Sequence, residues 1–150
     1  MDVQIEPYQS EDKHDLLRLM ESFNALEQYA FDREALEKNL DELTSRRDLG
    51  RCFLIKRQRK SIGYVVLTFG YSFEYRGRDA FIDELYLVED QRNRGIGKMT
   101  LNFLEKEAAK LKVNAIHLEV EARNLQARQL YLKLGYASNN RTLLTKRLSN

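Results

Sequence analysis

The strongest chemical signal in the chain is a run of six residues, Arg92-Asn93-Arg94-Gly95-Ile96-Gly97, followed at once by Lys98. Paired glycines between a strand and the start of a helix leave several backbone N–H groups unpaired and pointing the same way. The helix dipole adds partial positive charge at that point, and Arg92, Arg94 and Lys98 add full charges around it. Such a terminus is an anion site, suited to a phosphate or diphosphate. Two familiar nucleotide loops do not fit. The Walker loop needs Ser or Thr after Gly-Lys, but Met99 follows Lys98, and Arg92 occupies its early glycine position. The dinucleotide fingerprint needs a third glycine where Thr100 sits.

Proton-transfer candidates lie just before this loop. Asp83 and Glu84 are adjacent on a strand-like run, IDELYLV, where alternation sends neighbouring side chains to opposite faces and lets only one face a cleft. Glu119 and Glu121 share a face of a later run. His14 and His117 have no companion at ligand or triad spacing and read as structural. Cys52, the single cysteine, sits in an apolar run where a thiol is inert. It allows neither a disulfide framework nor a cysteine zinc site, and no metal is expected.

The elements that must position these residues follow from periodicity. Val3 to Tyr8 alternates as a first strand with Pro7 at its end. Ser10 is placed to cap a helix with Leu16, Leu17, Met20, Phe23 and Leu26 on its apolar face, and Asp32 to cap a second through Leu43. Cys52 to Lys56 and Ile62 to Phe69 are β-rich and joined by a polar turn. Phe81 to Val88 is the central strand, and the helix after the loop buries Ile96, Thr100, Leu104, Ala108 and Leu111. Ala115 to Glu121 reads as a further strand, Leu125 to Leu134 as a short helix closed by Gly135, and Leu143 to Leu148 as a last strand. The order predicts one mixed α/β domain over residues 1–150.

Composition narrows the class. The chain has 150 residues, 43% hydrophobic and 32% charged, enough for a core of ordinary size. A net charge of only +2 argues against a nucleic-acid-binding surface. No run approaches the ~18 apolar residues of a membrane span, and the first residues lack a signal-peptide pattern. A cytoplasmic protein is expected.

The strand IDELYLVED running into Arg92-x-x-Gly95-x-Gly97 resembles the coenzyme A diphosphate loop of the GNAT superfamily of acyl-CoA N-acyltransferases. A second block, Asn124-x-x-Ala127-x-x-x-Tyr131-x-x-x-Gly135-Tyr136, is similar to the superfamily's later motif, although Asn124 is also a good helix cap and Tyr131 a good packing aromatic. The two blocks occur in the family's order. The resemblance implies a mostly antiparallel central sheet flanked by helices, with a splayed strand pair forming the acyl-CoA cleft. It implies acetyl-CoA as cosubstrate. Arg92, Asn93, Arg94, Gly95, Ile96, Gly97 and Lys98 would hold its diphosphate. Leu87 and Val88 would lie along its pantetheine arm and offer a backbone N–H to the thioester oxygen, with Asn124 and Ala127 on the same arm. Tyr131 would be the general acid for the departing thiolate, and Asp83 or Glu84, acting through water, the base.

The implied reaction is N-acetyl transfer by direct attack of a primary amine. Acids at Glu74, Asp79, Asp83 and Glu84, with Tyr71 and Tyr75, favour a small cationic acceptor such as a polyamine or an aminoglycoside-like cation. The alternatives are a protein lysine or N-terminal acetyltransferase and a non-catalytic acyl-CoA-binding module. The resemblance also makes a homodimer plausible. No nucleic-acid or membrane partner is expected.

Overall fold

The computed structural model describes residues 2–149. They form two compact units, one reaching to Glu119 and one from Val120 onward. The first holds β1 (Val3–Pro7), α1 (Lys13–Leu26), α2 (Arg33–Ser45), β2 (Gly50–Arg57), β3 (Lys60–Ser72), β4 (Gly77–Leu87), α3 (Ile96–Lys110) and β5 (Ala115–His117). The strands make one sheet in the order β1-β2-β3-β4-β5, antiparallel except for the parallel pair β4–β5. This is the expected mixed, mostly antiparallel sheet with flanking helices.

Local chemistry explains most element ends. Asp32 caps α2 by accepting the Ala35 N–H at 3.1 Å. Gln58 and Arg59 both take positive φ, which lets a two-residue turn join β2 to β3. The start of α1 differs from expectation. Ser10 lies inside a short 3-10 turn, Ser10–Asp12, and Asp12 stands at the N-cap of α1 with its side chain turned back to accept the Gln9 N–H at 3.0 Å. Asp12 also pairs with Lys56 of β2 at 2.9 Å, which ties the entry of α1 to the sheet.

The sheet is buried on both faces. Cys52, Leu54, Tyr64 and Val66 pack with Leu16, Leu17, Leu19 and Met20 of α1 and Leu40 of α2. Ile55 and Ile62 point the other way, against Ile96 of α3, and Phe53 meets Phe103 edge to face. Each fully buried Leu or Ile contributes on the order of 1.5–3 kcal/mol relative to exposure. Gly63 allows the end of β4 to come close, since a Cβ there would lie 2.3 Å from the Tyr86 carbonyl oxygen.

Two features of this sheet shape the site. The β3–β4 register pairs Val66 with Glu84 and Leu67 with Ile82, so Asp83 is an extra residue in a bulge. The β4–β5 ladder covers only Asp79–Phe81 against Ala115–His117, whereas β4 runs on to Leu87. β5 is thus shorter than the predicted Ala115 to Glu121, and Leu118 and Glu119 have left the ladder. The pair splays where the family pattern expects it.

The second unit contains α4 (Leu125–Lys133), with Gly135 just past its end at φ 95°. The predicted last strand over Leu143 to Leu148 is not formed. Leu143, Leu144 and Leu148 are 67%, 87% and 92% exposed, and no strand lies within this unit, among the described residues, to supply a ladder; β propensity alone does not hold an unpaired strand.

Candidate active site

The loop between β4 and α3 begins with a short 3-10 turn, Glu89–Gln91. Asn93 (φ 63°) and Gly95 (φ 81°) then turn the chain through left-handed conformations into α3. The first intrahelical bond runs from Met99 N–H to the Gly95 carbonyl, so the N–H groups of Ile96, Gly97 and Lys98 precede the helical ladder. Arg94 donates through Nε to the Asp90 carbonyl at 3.2 Å and Arg92 through Nε to the Leu87 carbonyl at 2.9 Å. Because backbone carbonyls hold them, neither guanidinium is neutralised by a carboxylate ion pair among the described residues. A groove of about 400 Å³ continues from Gly95 along α3, with Lys98 and Lys106 on its walls beside Asn102 and Phe103. The arrangement is a cationic cradle of backbone donors and fits a diphosphate.

Upstream of the loop, β4 has one occupied edge and one bare edge. Val88 donates its N–H to the Ile62 carbonyl at 2.9 Å, which fixes that group on the β3 side. The Val88 N–H, expected as one of two candidate donors to a thioester oxygen, is thus engaged within the sheet. Alternation turns the N–H and C=O of Leu87 to the opposite edge, which β5 has left after Phe81↔His117. Of the two residues expected to supply that donor, Leu87 is the one whose N–H faces the edge that β5 has left.

Behind this edge sit the carboxylates. Glu84 accepts a hydrogen bond from the Tyr64 hydroxyl at 2.7 Å. The Tyr64 ring packs with those of Phe23 and Tyr86, each pair of rings about 6 Å apart (6.1 to 6.4 Å). Burial pushes the Glu84 carboxyl above its ordinary range, with repulsion from Asp83 adding to the rise and the Tyr64 hydrogen bond opposing it. Tyr64 is itself raised strongly, first by burial and then by the Glu84 charge. Asp83 reaches solvent, yet the surrounding protein strips enough water from it to raise its pKa too. The strict alternation expected for Asp83 and Glu84 does not apply, because the bulge falls between them and they interact. Burial pushes the Cys52 thiol up to about 12, so it holds its proton at neutral pH and is inert as expected.

In the second unit, Asn124 caps α4 through its side-chain carbonyl, which accepts the Ala127 N–H at 3.2 Å. The cap occupies the Asn124 side-chain carbonyl, and the amide NH₂ takes no part in it. Tyr131 stands one turn beyond Ala127, packed edge to face on Tyr136 at 6.0 Å, and burial raises its pKa. A phenol that keeps its proton is suited to donate it. Glu121 is ion-paired with Arg123 and is a surface carboxylate.

Sequence reasoning missed two partners. Tyr64 was read only as part of a strand, and it is the hydrogen-bond donor to Glu84. His117, read as structural for want of a companion, lies 3.0 Å from Asp79 through Nε2. The two are 38 positions apart and meet only because β5 pairs with β4 in parallel. His14, by contrast, is exposed on α1. No group of three or more His, Cys, Asp or Glu side chains is placed to hold a metal among the described residues, and no helix there is long and apolar enough to cross a membrane.

Comparison with known proteins adds three findings. A family model described as the acetyltransferase (GNAT) family matches residues 16–136. An integron cassette protein from the mobile metagenome of Cole Harbour Salt Marsh is 29% identical, with a TM-score of 0.88 over 98% of this chain and 91% of that one. A possible acetyltransferase from Clostridium difficile 630 (17% identical, TM-score 0.84, all of both chains) and a predicted acetyltransferase from Clostridium acetobutylicum solved with acetyl-CoA (16%, 0.80, 96% of each) share the fold. No curated protein matches.

Proposed function

Since the chain belongs to the GNAT acetyltransferase family, we propose that it moves the acetyl group of acetyl-CoA to a primary amine by direct attack, with a small cationic amine as acceptor. The observation that carries this reading is the layout of β4. One strand offers a bulged acid pair, then a backbone N–H on a bare edge, then a phosphate cradle.

In this reading Arg92, Arg94, Lys98 and the N–H groups of Ile96 and Gly97 hold the diphosphate, and the Leu87 N–H faces the thioester oxygen as charge develops there. Asp83 and Glu84 attract the acceptor cation, and the partly buried rings of Phe23 and Tyr86, 6.1 Å apart, suit a cation stripped of water. An alkyl ammonium has a pKa near 10.4 and attacks only after losing a proton. Carboxylates with raised pKa values, acting through water, are better bases than ordinary ones. Tyr131 donates to the departing thiolate and Asn124 holds the pantetheine arm. The reading takes residues 1–150 as one acetyltransferase domain.

Direct attack is tested by mass spectrometry. Acetyl-CoA alone should leave the protein mass unchanged. Adding an amine should give one N-acetylated product per thiol released. An acetylated protein that transfers its group in a second step would overturn direct attack.

A further inference from the structure

His117 and Asp79 form a built pair that the proposed chemistry has not used. Their side chains are 25% and 14% exposed, and the Nε2 to Oδ2 distance is 3.0 Å. A carboxylate only accepts, so Nε2 carries the hydrogen of this bond, which leaves Nδ1 as the acceptor nitrogen. The ring is held between Tyr75 and Phe81, each with its centroid 5.0 Å away. Asn114, three residues earlier, fixes the loop that carries Tyr75 by donating to the Tyr75 and Arg76 carbonyls at 3.0 and 3.1 Å. An imidazole with a fixed tautomer, an oriented ring and partial exposure is the arrangement of a general base.

Its place in the sheet matters more. Phe81↔His117 is the last β4–β5 pair, so His117 stands at the apex of the splay. Phe81 pairs with Thr68 and Glu84 with Val66, and Thr68 and Val66 share a face of β3. The bulge thus keeps Asp79, Phe81 and Glu84 on one face of β4, the face packed on α1 and α2. His117, joined to Asp79, lies on this same acid-lined side. Among neighbouring charges, Asp83 sits at the bulge and Glu119 follows two residues later in the chain. Arg78 lies on the other face, over the Phe69 ring at 4.6 Å.

We propose that His117, positioned by Asp79, is the terminal acceptor for the proton that the acceptor ammonium must lose before it attacks. The idea rests on the amine-transfer reading. An N–H bond of the ammonium breaks, and its proton passes through water oriented by Asp83 and Glu84 to Nδ1 of His117, then to solvent. The freed nitrogen lone pair forms the C–N bond as the C–S bond breaks. The second proton shed by nitrogen balances the one gained by the thiolate, so the sum is amide, free thiol and one proton. His117 is the proton acceptor and Asp79 a positioning residue.

The test is the pH dependence of kcat for wild type, His117→Phe and Asp79→Asn, with the best amine of a polyamine, aminoglycoside and lysine-peptide panel. His117→Phe keeps a ring against Tyr75 and Phe81 and so guards against simple misfolding. It should lower kcat near neutral pH by about 10²-fold or more, leave the KM for acetyl-CoA unchanged, and recover toward wild type as pH approaches ~10, where the amine loses its own proton. In His117→Ala, which vacates the ring's place between Tyr75 and Phe81, added imidazole should restore part of the loss, and Asp79→Asn should fall between wild type and His117→Phe. Wild-type kcat and pH profile in His117→Phe would overturn the role of His117 while leaving amine transfer standing. A wild type that acetylates no amine sinks both.

Discussion

At its start β4 carries Asp79, Asp83 and Glu84, with His117 beside them; where it ends it delivers Arg92, Arg94, Lys98 and the N-terminus of α3. The first region is acidic, aromatic and partly buried, and burial pushes the Asp83 and Glu84 carboxyls up. The second is cationic, rich in backbone donors and mostly exposed. Under the proposed function, one strand separates two kinds of ligand by charge: a polyanion at the finish and a cation before it. Changes at the acidic end should alter turnover and spare cofactor affinity, and changes at the basic end should do the reverse.

The largest effect expected is on turnover. Asp83→Asn and Glu84→Gln, measured separately, should show one loss of about 10²- to 10⁴-fold in kcat, with acetyl-CoA affinity held within about twofold. Two unchanged rates would discard both carboxylates as proton-transfer groups. The mirror experiment is calorimetric. Arg92→Ala should weaken acetyl-CoA binding by roughly tenfold, since a hydrogen bond to a charged group contributes about 1.5 kcal/mol or more. Arg94→Ala, at the more exposed position, should matter less, and added salt should weaken wild type more than Arg92→Ala. Equal affinity for both proteins would remove the diphosphate from this loop.

A structural variant sharpens the boundary between the ends. Gly63→Ala places a Cβ where the Tyr86 carbonyl lies, 2.3 Å away, so the end of β4 must shift. Chemical denaturation should show a loss of about 1–3 kcal/mol, together with weaker acetyl-CoA binding if the Leu87 edge lines the cofactor path. The smallest effect concerns pH and folding. Glu84 has a folded pKa raised above its ordinary value of 4.5. The folded state therefore binds that proton more tightly than the unfolded chain. Stability from this group is full below the ordinary value and is lost as pH rises through the raised one. Glu84→Gln keeps an acceptor for Tyr64 and should flatten that decline, gaining stability at neutral pH relative to wild type. Parallel stability–pH curves for the two proteins would contradict the burial account of Glu84.

Legibility in the sequence followed locality. The Arg92–Lys98 loop, the α3 stripe and the Asn124 cap are each encoded within about a dozen residues, where periodicity and glycine placement speak directly. The sheet itself was legible through alternation, down to Pro7 at the end of β1. The bulge at Asp83 was invisible, because it exists only as a mismatch between β3 and β4. So was the Asp79–His117 contact, which depends on a crossover through α3. The use of the Val88 N–H inside the sheet was hidden for the same reason, since its partner Ile62 lies across the hairpin. The predicted strand at Leu143 to Leu148 shows the opposite error, a local pattern with no ladder to complete it.

The central claim is that the acidic start of β4 receives an amine that takes the acetyl group delivered at its basic finish. It is tested most directly by free-thiol release from acetyl-CoA across polyamines, aminoglycosides, amino acids and lysine peptides, with Tyr131→Phe beside wild type. The account predicts release that depends on the acceptor, is fastest with small polycationic amines and drops in the variant. Release that ignores the acceptor, or none with any amine while acetyl-CoA still binds, would contradict it.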